Sequence, residues 1–194
     1  VAEHEPDRGA TRVSVFTPDR EGLFFRICAG LASAGASIID ARVHTTRDGM
    51  ALDNLLVQDA QERPYSDKRL RNRLVRSVEA ALKNEAPPDI PSGHHRGARA
   101  EAFHVAPSVA IAERASTRTT VVEVNALDRP GLLARLARAI HGDGHEVHSA
   151  HIATYGERAV DVFYLSNPRG QKLDPGQIEK LRAALLDAAR EEEA

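Results

Sequence analysis

The chain contains one sequence pattern twice, and this duplication restricts it to folds built from two copies of the same unit. DREGLFFRI at residues 19–27 aligns with DRPGLLARL at residues 128–136, shifted by 109 positions. GASIIDA at residues 35–41 aligns with GHEVHSA at residues 144–150 at the same shift. With 194 residues, the chain is long enough for two small domains. We therefore expect two similar modules in tandem.

Each unit shows the same succession of apolar patterns. An apolar strand leads into an Asp-Arg-x-Gly turn, and a helix follows with large apolar residues at four-residue spacing. Two further strands, joined by a short hairpin turn, and a second helix complete the unit. This order predicts an α+β fold of two ferredoxin-like (βαββαβ) modules, each with its helices on one face of an antiparallel sheet. The expected strands are 13–16, 39–43 and 51–57 in the first unit and 120–124, 148–152 and 159–165 in the second.

Glycines and a capping pattern mark the ends of the expected elements. Gly35 and Gly144 follow the first helix of each unit, and glycine tolerates the left-handed conformation that ends a helix. Gly49 and Gly156 lie in the hairpin turns. Asp174 precedes a Pro at the first helical position and a Gln three residues on, which predicts a capped start for the last helix.

The stretch between the two copies is rich in Pro and Gly and poor in large apolar residues, as linkers are. We therefore assign residues 11–83 to the first module, 84–102 to a linker and 103–190 to the second module. A further strand is expected at residues 103–111, interrupted at Pro107, which favours an edge position. The sequence does not decide which sheet this strand completes, and an exchange of strands between the modules stays open.

The recurrent turn is the candidate binding site. Gly22 and Gly131 lack a side chain that would keep a ligand away from the backbone. The helix that follows offers unpaired N–H groups and the positive end of its dipole to a carboxylate. Asp19 and Asp128 stand beside it and could hold an ammonium group. Together these two features suit a free amino acid, although an Asp before a helix is also an ordinary N-cap and a Gly an ordinary tight turn.

Further strings narrow the interpretation. ARVHTT at residues 41–46 precedes Asp48 and Gly49, TVVEV at residues 120–124 precedes the second turn, and TYGERAVDVFY occupies residues 154–164. The Asp-Arg-x-Gly-Leu turn after the first strand resembles that of ACT domains, small regulatory modules that commonly bind amino acids. With these strings, most of the chain resembles the C-terminal ACT pair of the bifunctional PII uridylyltransferase/uridylyl-removing enzymes. TYGERAVDVFY is the most specific part of the match.

The resemblance implies a regulatory role in nitrogen metabolism. Enzymes of this family sense glutamine and add UMP to, or remove it from, the PII signal protein. Their transferase site lies in an N-terminal nucleotidyltransferase domain, and their hydrolase site lies in a metal-binding HD domain. The chain contains neither a GSxxRxEL-like stretch nor an adjacent His-Asp pair, and it begins at Val1 rather than Met. We therefore expect a catalytically silent fragment of a longer parent enzyme.

The resemblance also implies a ligand and partners. Glutamine or a similar amino acid is the expected ligand, and the catalytic domains of the parent chain and the PII signal protein are the expected partners. No cofactor is expected in this chain, whereas the parent enzyme is expected to use Mg²⁺. A stand-alone ACT-repeat regulator that acts through protein–protein contacts is the alternative.

In amino-acid-binding ACT modules, the ligand lies where this turn of one module meets the start of the second strand of its neighbour. The positions that match in the first copy are Thr17, Asp19, Arg20, Gly22 and Leu23, with Ser37 and Ile38. Those in the second copy are Ala126, Asp128, Arg129, Gly131 and Leu132, with Glu146 and Val147. Ala126 replaces Thr17 and Glu146 replaces Ser37, so the two half-sites are not equivalent.

Composition argues against nucleic acid as a partner. Lys+Arg 26 against Asp+Glu 28 gives a net charge of −2, too balanced for binding mainly through a positive field. Aromatic residues make up 4%, too few for the stacking platform of an RNA-recognition module. We therefore interpret the basic cluster of Lys68, Arg69, Arg71, Arg73 and Arg76 as a solvated helix face, with contact to an acidic protein surface as the second choice.

The sequence indicates a cytoplasmic protein with no membrane partner. It contains no run of eighteen apolar residues and no charged-then-apolar leader, so neither a membrane span nor a secretory signal is expected. The lone Cys28 excludes an intrachain disulfide and is typical of a reducing compartment. We interpret this cysteine as a small packing residue of the first helix.

Two further groups of residues are interpreted as structural. His145, His148 and His151 recur at every third position, but alternation along a strand would turn His148 away from the other two, which argues against a shared metal ion. Asp53 and Asp161 occupy the third strand of their units. A catalytic pair is conceivable, but we interpret them as solvent-facing acids because nothing near them in the sequence marks a pocket.

Overall fold

Each half of the chain folds into four strands and two helices in the same order. The computed structural model describes residues 1–84, 86, 89–90, 105–112 and 114–190. The first module comprises β1 (Ala2–Glu5), β2 (Ala10–Pro18), α1 (Leu23–Ser33), β3 (Ser37–Thr45), β4 (Met50–Gln58) and α2 (Lys68–Lys83). The second comprises β5 (Ser108–Ile111), β6 (Thr120–Leu127), α3 (Leu132–Gly142), β7 (Glu146–Tyr155), β8 (Arg158–Ser166) and α4 (Pro175–Ala189). A short 3-10 turn, Pro6–Arg8, joins β1 to β2.

The two modules share one antiparallel sheet of eight strands. The strand order is β1-β2-β4-β3-β7-β8-β6-β5, so the modules meet where β3 pairs with β7. Arg42 of β3 lies opposite His151 of β7. The shift of 109 positions that relates the two sequence copies carries Arg42 onto this same His151. The modules are therefore related by an approximate twofold axis through this residue pair, as the duplication predicts.

The fourth strand of each module precedes its other elements rather than following them. β1 pairs with β2 and β5 pairs with β6, both antiparallel, and each forms an outer edge of the sheet. The α+β class and the paired ferredoxin-like modules are confirmed, but the strand order within each module is ββαββα. Sequence analysis did not predict β1, whose pairing extends the first module to Ala2.

The strand expected at residues 103–111 occupies Ser108–Ile111, while residues 103 and 104 lie outside the described part of the chain. It starts directly after Pro107 and lies at the edge of the sheet, in agreement with the missing N–H of proline. It completes the sheet of its own module, so no exchange of strands is seen. Most of the expected linker at residues 84–102 also lies outside the described residues.

All four helices pack on one face of the sheet. α1 contacts α2 within the first module, α3 contacts α4 within the second, and α1 contacts α3 across the module boundary. The leucine and isoleucine positions expected from helical periodicity are fully buried there, among them Ile27, Leu31, Leu136 and Ile140. The two modules therefore share one continuous apolar core between the helices and the sheet.

The turn and cap residues behave as the sequence predicts. Gly22 and Gly131 are the N-caps of α1 and α3 in the left-handed conformation, with φ of 70° and 77°. Gly35 and Gly144 end the same two helices, also with positive φ. Asp174 accepts a hydrogen bond from the Gln177 backbone in a complete capping box. Among the described helices, none is long and apolar enough to cross a membrane.

Candidate functional site

Two cavities lie at the module boundary in the part of the chain that the structure describes. Each is formed where the Asp-Arg-x-Gly turn of one module meets the start of the middle strand of the other. The first cavity has a volume of about 240 Å³ and joins the turn of the first module to the start of β7. The second has about 20 Å³ and joins the turn of the second module to the start of β3. Each of the duplicated turns thus borders a cavity, and the two cavities are unequal in size.

Hydrogen bonds fix the turn of the first module at the edge of the first cavity. The Asp19 N–H donates to the Gly49 carbonyl at 2.8 Å, which ties the turn to the β3–β4 hairpin. The Thr45 hydroxyl donates to Oδ2 of Asp19 at 2.6 Å and orients the carboxylate. No side chain caps the first turn of α1 among the described residues, so the amides of this turn have no competing side-chain acceptor. An anionic group of a ligand can take that place.

The arginine of each turn is engaged with the end of the second helix of its own module. Arg20 donates to the Leu82 carbonyl near the end of α2. Arg129, only 6% exposed, donates to the Ala188 carbonyl at 3.0 Å and to the Arg190 carbonyl at the end of α4. These bonds satisfy carbonyls that a helix end leaves without intrahelical donors. Both arginines border a cavity, but their observed hydrogen bonds hold the fold.

The expected site residues divide between the two cavities as the interface geometry requires. Asp19, Arg20, Gly22 and Leu23 line the first cavity together with Glu146 and Val147. Ser37 and Ile38 line the second together with Asp128, Arg129, Gly131 and Leu132. Thr17 and Ala126 are not part of the lining of either cavity.

Asp53 and Asp161 are buried, so their interpretation as solvent-facing acids is wrong. They are 1% and 2% exposed and line the first and second cavity, respectively. The reason is the alternation of strand faces, which places Asp53 on the same face as Leu55 and Val57, beneath the helices. The same alternation could have revealed these acids in the sequence, because each interrupts an apolar face of a central strand.

Burial raises the pKa of both aspartates. Desolvation raises the pKa of Asp53 to about 7, and the neighbouring Asp19 carboxylate adds to the rise, while the backbone of His44 opposes it. Desolvation, with a contribution from Asp128, raises the pKa of Asp161 to about 8. Each module therefore places a half-neutralised or neutral carboxyl beside the aspartate of its turn at pH 7.

Histidines of the second module form much of the other wall of the first cavity. His141 of α3 and His145, Glu146 and His148 at the start of β7 all border it. His148 Nε2 shares a hydrogen bond of 2.7 Å with the Ser166 hydroxyl. Burial, assisted by Lys180, lowers the pKa of His145, while Asp143 opposes this, so its imidazole is neutral at pH 7. Sequence analysis did not assign His141 to the site.

The described residues offer no arrangement suited to a metal ion: no cluster of three or more His, Cys, Asp or Glu is found among them. His151 instead contacts Tyr164 edge to face, with the ring centroids 5.8 Å apart. The basic cluster of α2 is largely exposed, as expected for a solvated face, with only Arg71 half-buried. Cys28 is fully buried in the core, which confirms its packing role.

Relatives of known name match nearly the whole length of the chain. No protein-family model matches the chain. It is 47% identical over 189 residues to the bifunctional uridylyltransferase/uridylyl-removing enzyme of Novosphingobium aromaticivorans. It is 46% identical over 190 residues to that of Erythrobacter litoralis. These matches cover 96% of this chain but 21% of each relative, so the chain spans about a fifth of their length.

A solved structure supports the architecture. The crystal structure of aspartate kinase from Synechocystis matches 91% of this chain and 26% of its own chain, with a TM-score of 0.50 and 16% identity. At this identity the likeness concerns the fold alone. Together with the duplicated turns and the pairing of β3 with β7, these findings identify the chain as a counterpart of the tandem C-terminal ACT modules of the bifunctional uridylyltransferase/uridylyl-removing enzymes.

Proposed function

We propose that the first cavity binds a free amino acid, glutamine in the first place, and that its occupancy regulates the addition of UMP to, and its removal from, the PII signal protein by the parent enzyme. The observation that carries this proposal is the cavity of about 240 Å³ in which the Asp-Arg-x-Gly turn of one module meets the middle strand of the other. The kinship with uridylyltransferase/uridylyl-removing enzymes supports the choice of the regulated reaction.

The volume of the first cavity suits a small metabolite. A cavity of about 150 Å³ holds benzene, and drug-sized ligands occupy about 300–1,000 Å³. A cavity of about 240 Å³ lies between these values, which is the range of an amino acid. The second cavity, with about 20 Å³, has room for little more than one water molecule. We therefore expect one ligand per chain.

The polar groups of the first cavity complement a zwitterion. The uncapped amides and dipole of α1 attract the carboxylate of the ligand, and the Asp19 carboxylate stands beside them for the ammonium group. Glu146 and His148 reach the cavity from the second module and offer polar partners to the side-chain amide of glutamine.

Regulation follows from the position of the cavity between modules. A ligand that contacts the turn of the first module and the start of β7 favours the arrangement in which both walls are close. The catalytic domains of the parent enzyme respond only if their active and inactive states differ in this arrangement, because a ligand shifts an equilibrium by its differential affinity for the two states. The modules themselves carry no chemistry in this proposal, and the Mg²⁺ expected of the parent enzyme belongs to the catalytic domains.

Calorimetric titration of the chain with L-glutamine tests the proposal. We expect saturable binding with one site per chain. Asp19→Asn should weaken binding by about tenfold or more, because an ammonium–carboxylate hydrogen bond contributes about 1.5–3 kcal/mol. Asp128→Asn changes the matching residue of the small second cavity and is the control, with unchanged affinity. The absence of binding of glutamine and of other amino acids by the native chain would refute the proposal.

A further inference from the structure

The lining of the first cavity includes the carboxyl group of Asp53, whose hydrogen-bonding capacity the fold leaves largely unused. Both oxygens of Asp53 are buried and have no partner in hydrogen-bond geometry among the described residues, while the nearby backbone of His44 favours the charged form and lowers the pKa in part. Asp53 lies on the central strand β4, between Val15 of β2 and Val43 of β3. A buried carboxyl without partners destabilises a fold, and more strongly when it is charged than when it is neutral. Such a group is retained most readily where a bound molecule completes it.

We propose that Asp53 is a second ligand-binding carboxylate of the first cavity and that Asp19 and Asp53 together hold the ammonium group of the bound amino acid. This inference rests on the proposed function and adds a recognition residue to it. Asp53 borders the same cavity as Asp19 and is 1% exposed. The ligand then supplies the donor that the fold does not.

The electrostatics of the first cavity agree with this assignment. Burial raises the pKa of Asp53, and the charge on Asp19 adds to the rise. With a pKa of about 7, Asp53 is protonated in about half of the molecules at neutral pH, and it shares the cavity with the Asp19 carboxylate. An ammonium group placed between them stabilises the doubly ionised form. Binding therefore releases the proton of Asp53 to solvent, and the ammonium takes over as its partner.

Other titratable groups face the same space and must be separated from Asp53 by experiment. The first module contributes Asp19, Arg20 and Glu21 from the turn. The thiol of Cys28 lines the second cavity, but its pKa also responds to Asp53. The second module contributes His141 from α3 and His145, Glu146 and His148 from the start of β7. The number of protons that the native chain releases on binding is a sum over all of these groups. It must therefore be compared with the number released by an Asp53 variant.

The pseudo-symmetric module offers a matched control. Asp161 occupies the equivalent position on β8, is 2% exposed and has an unpartnered Oδ1 among the described residues. It borders the second cavity, whose 20 Å³ do not admit an amino acid. Asp161→Asn therefore makes the same chemical change in the same structural setting, without a ligand to lose.

The experiment is calorimetric titration of the full chain with L-glutamine at pH 6.5, in two buffers of different ionisation enthalpy. For the native chain we expect release of a proton on binding, and affinity that rises with pH between 6 and 8. Asp53→Asn should bind at least about tenfold more weakly and should abolish most of the proton release. Asp161→Asn should keep both the affinity and the proton release of the native chain.

A second ligand makes the test independent of how well the variant folds. Glutaramate has the carboxylate and amide of glutamine but no ammonium group, so its binding to the native chain should release no proton. If glutamine binds and neither the proton count nor the Asp53→Asn affinity differs from the controls, Asp53 is not a ligand-binding residue, while the proposed function stands. If no amino acid binds the native chain, the proposed function fails and this inference fails with it.

Discussion

The imidazole of His141 packs directly against Gly22, across the boundary between the two modules. A Cβ atom at residue 22 would lie 2.9 Å from Cε1 of His141. The same imidazole stacks on Phe25 with ring centroids 5.8 Å apart, and its Nδ1 lies 4.0 Å from Oε1 of Glu21. The turn of the first module thus contacts α3 of the second at the wall of the first cavity. This position requires glycine for its space as well as for its positive φ.

Gly22→Ala should destabilise the chain more than Gly49→Ala. Both residues have positive φ, so an alanine at either position costs about 1–2 kcal/mol of backbone strain. At Gly49 nothing lies within 4 Å of the added Cβ, whereas at Gly22 the imidazole must move. We expect an additional loss of about 1–2 kcal/mol for Gly22→Ala in urea unfolding. His141→Ala in the same chain should recover this additional loss, and equal losses for the two glycines would show that the contact carries no energy.

Much of the fold could be predicted from the sequence because local and long-range signals agree. The apolar spacing of α1 and α3, the positive-φ glycines and the capping box at Asp174 each recur at matching places in the structure. β1 could not be predicted in this way. It consists of Ala-Glu-His-Glu at the sheet edge, contains no buried residue, and so lacks the alternation that marks a half-buried strand.

The site could be predicted in part. The turn residues follow from their repetition, and their partners on β7 and β3 follow from the resemblance to ACT modules. The unequal cavities could not be predicted, because they depend on side chains that face each other across the module boundary. The wall of the first cavity contains His141 and His145, whereas Ala32 and Ala36 occupy the matching positions at the second. The burial of Asp53 was not predicted, because we interpreted an acidic residue as solvent-facing. The alternation of apolar residues along its strand would have placed it on the buried face.

Arg129→Ala should destabilise the chain more than Arg20→Ala. Both arginines donate to carbonyls near the end of the second helix of their module, but Arg129 is 6% exposed whereas Arg20 is largely exposed. Removing the buried guanidinium takes a charged donor from the carbonyl of half-buried Ala188, and such a hydrogen bond contributes about 1.5–3 kcal/mol. Water can replace the exposed guanidinium of Arg20 as a donor, so Arg20→Ala should lower the free energy of unfolding by less than about 1 kcal/mol. The free energies of unfolding in urea at pH 7 compare the two, and equal losses would contradict the role of burial.

Asp161→Asn should change how stability depends on pH. The pKa of Asp161 is about 8 in the folded chain and about 4 in an unfolded one. Between these values the folded state holds a proton that the unfolded state has lost, so this carboxyl favours folding at low pH and the benefit declines as the pH rises toward 8. The slope is at most about 1.4 kcal/mol per pH unit. The asparagine variant should therefore gain stability relative to the native chain between pH 5 and 8 in urea unfolding series. A constant difference would show that Asp161 titrates normally.

The lone thiol should be unreactive in the native chain. Cys28 is fully buried and borders the second cavity, and burial raises the pKa of its thiol, with Asp53 and Asp161 adding to the rise. Because the thiolate is the reactive form, alkylation by iodoacetamide at pH 8 should be slower than in urea by a factor of about 1,000 or more.

Ala137 is the equivalent of Cys28 on α3 and borders the first cavity instead. In a Cys28→Ala chain, Ala137→Cys should therefore be alkylated faster than Cys28 is in the native chain, because the reagent fits the larger cavity. Glutamine should slow this alkylation and leave the rate at Cys28 unchanged. Equal protection of both positions would mean that the ligand acts by stabilising the whole fold rather than by filling the first cavity.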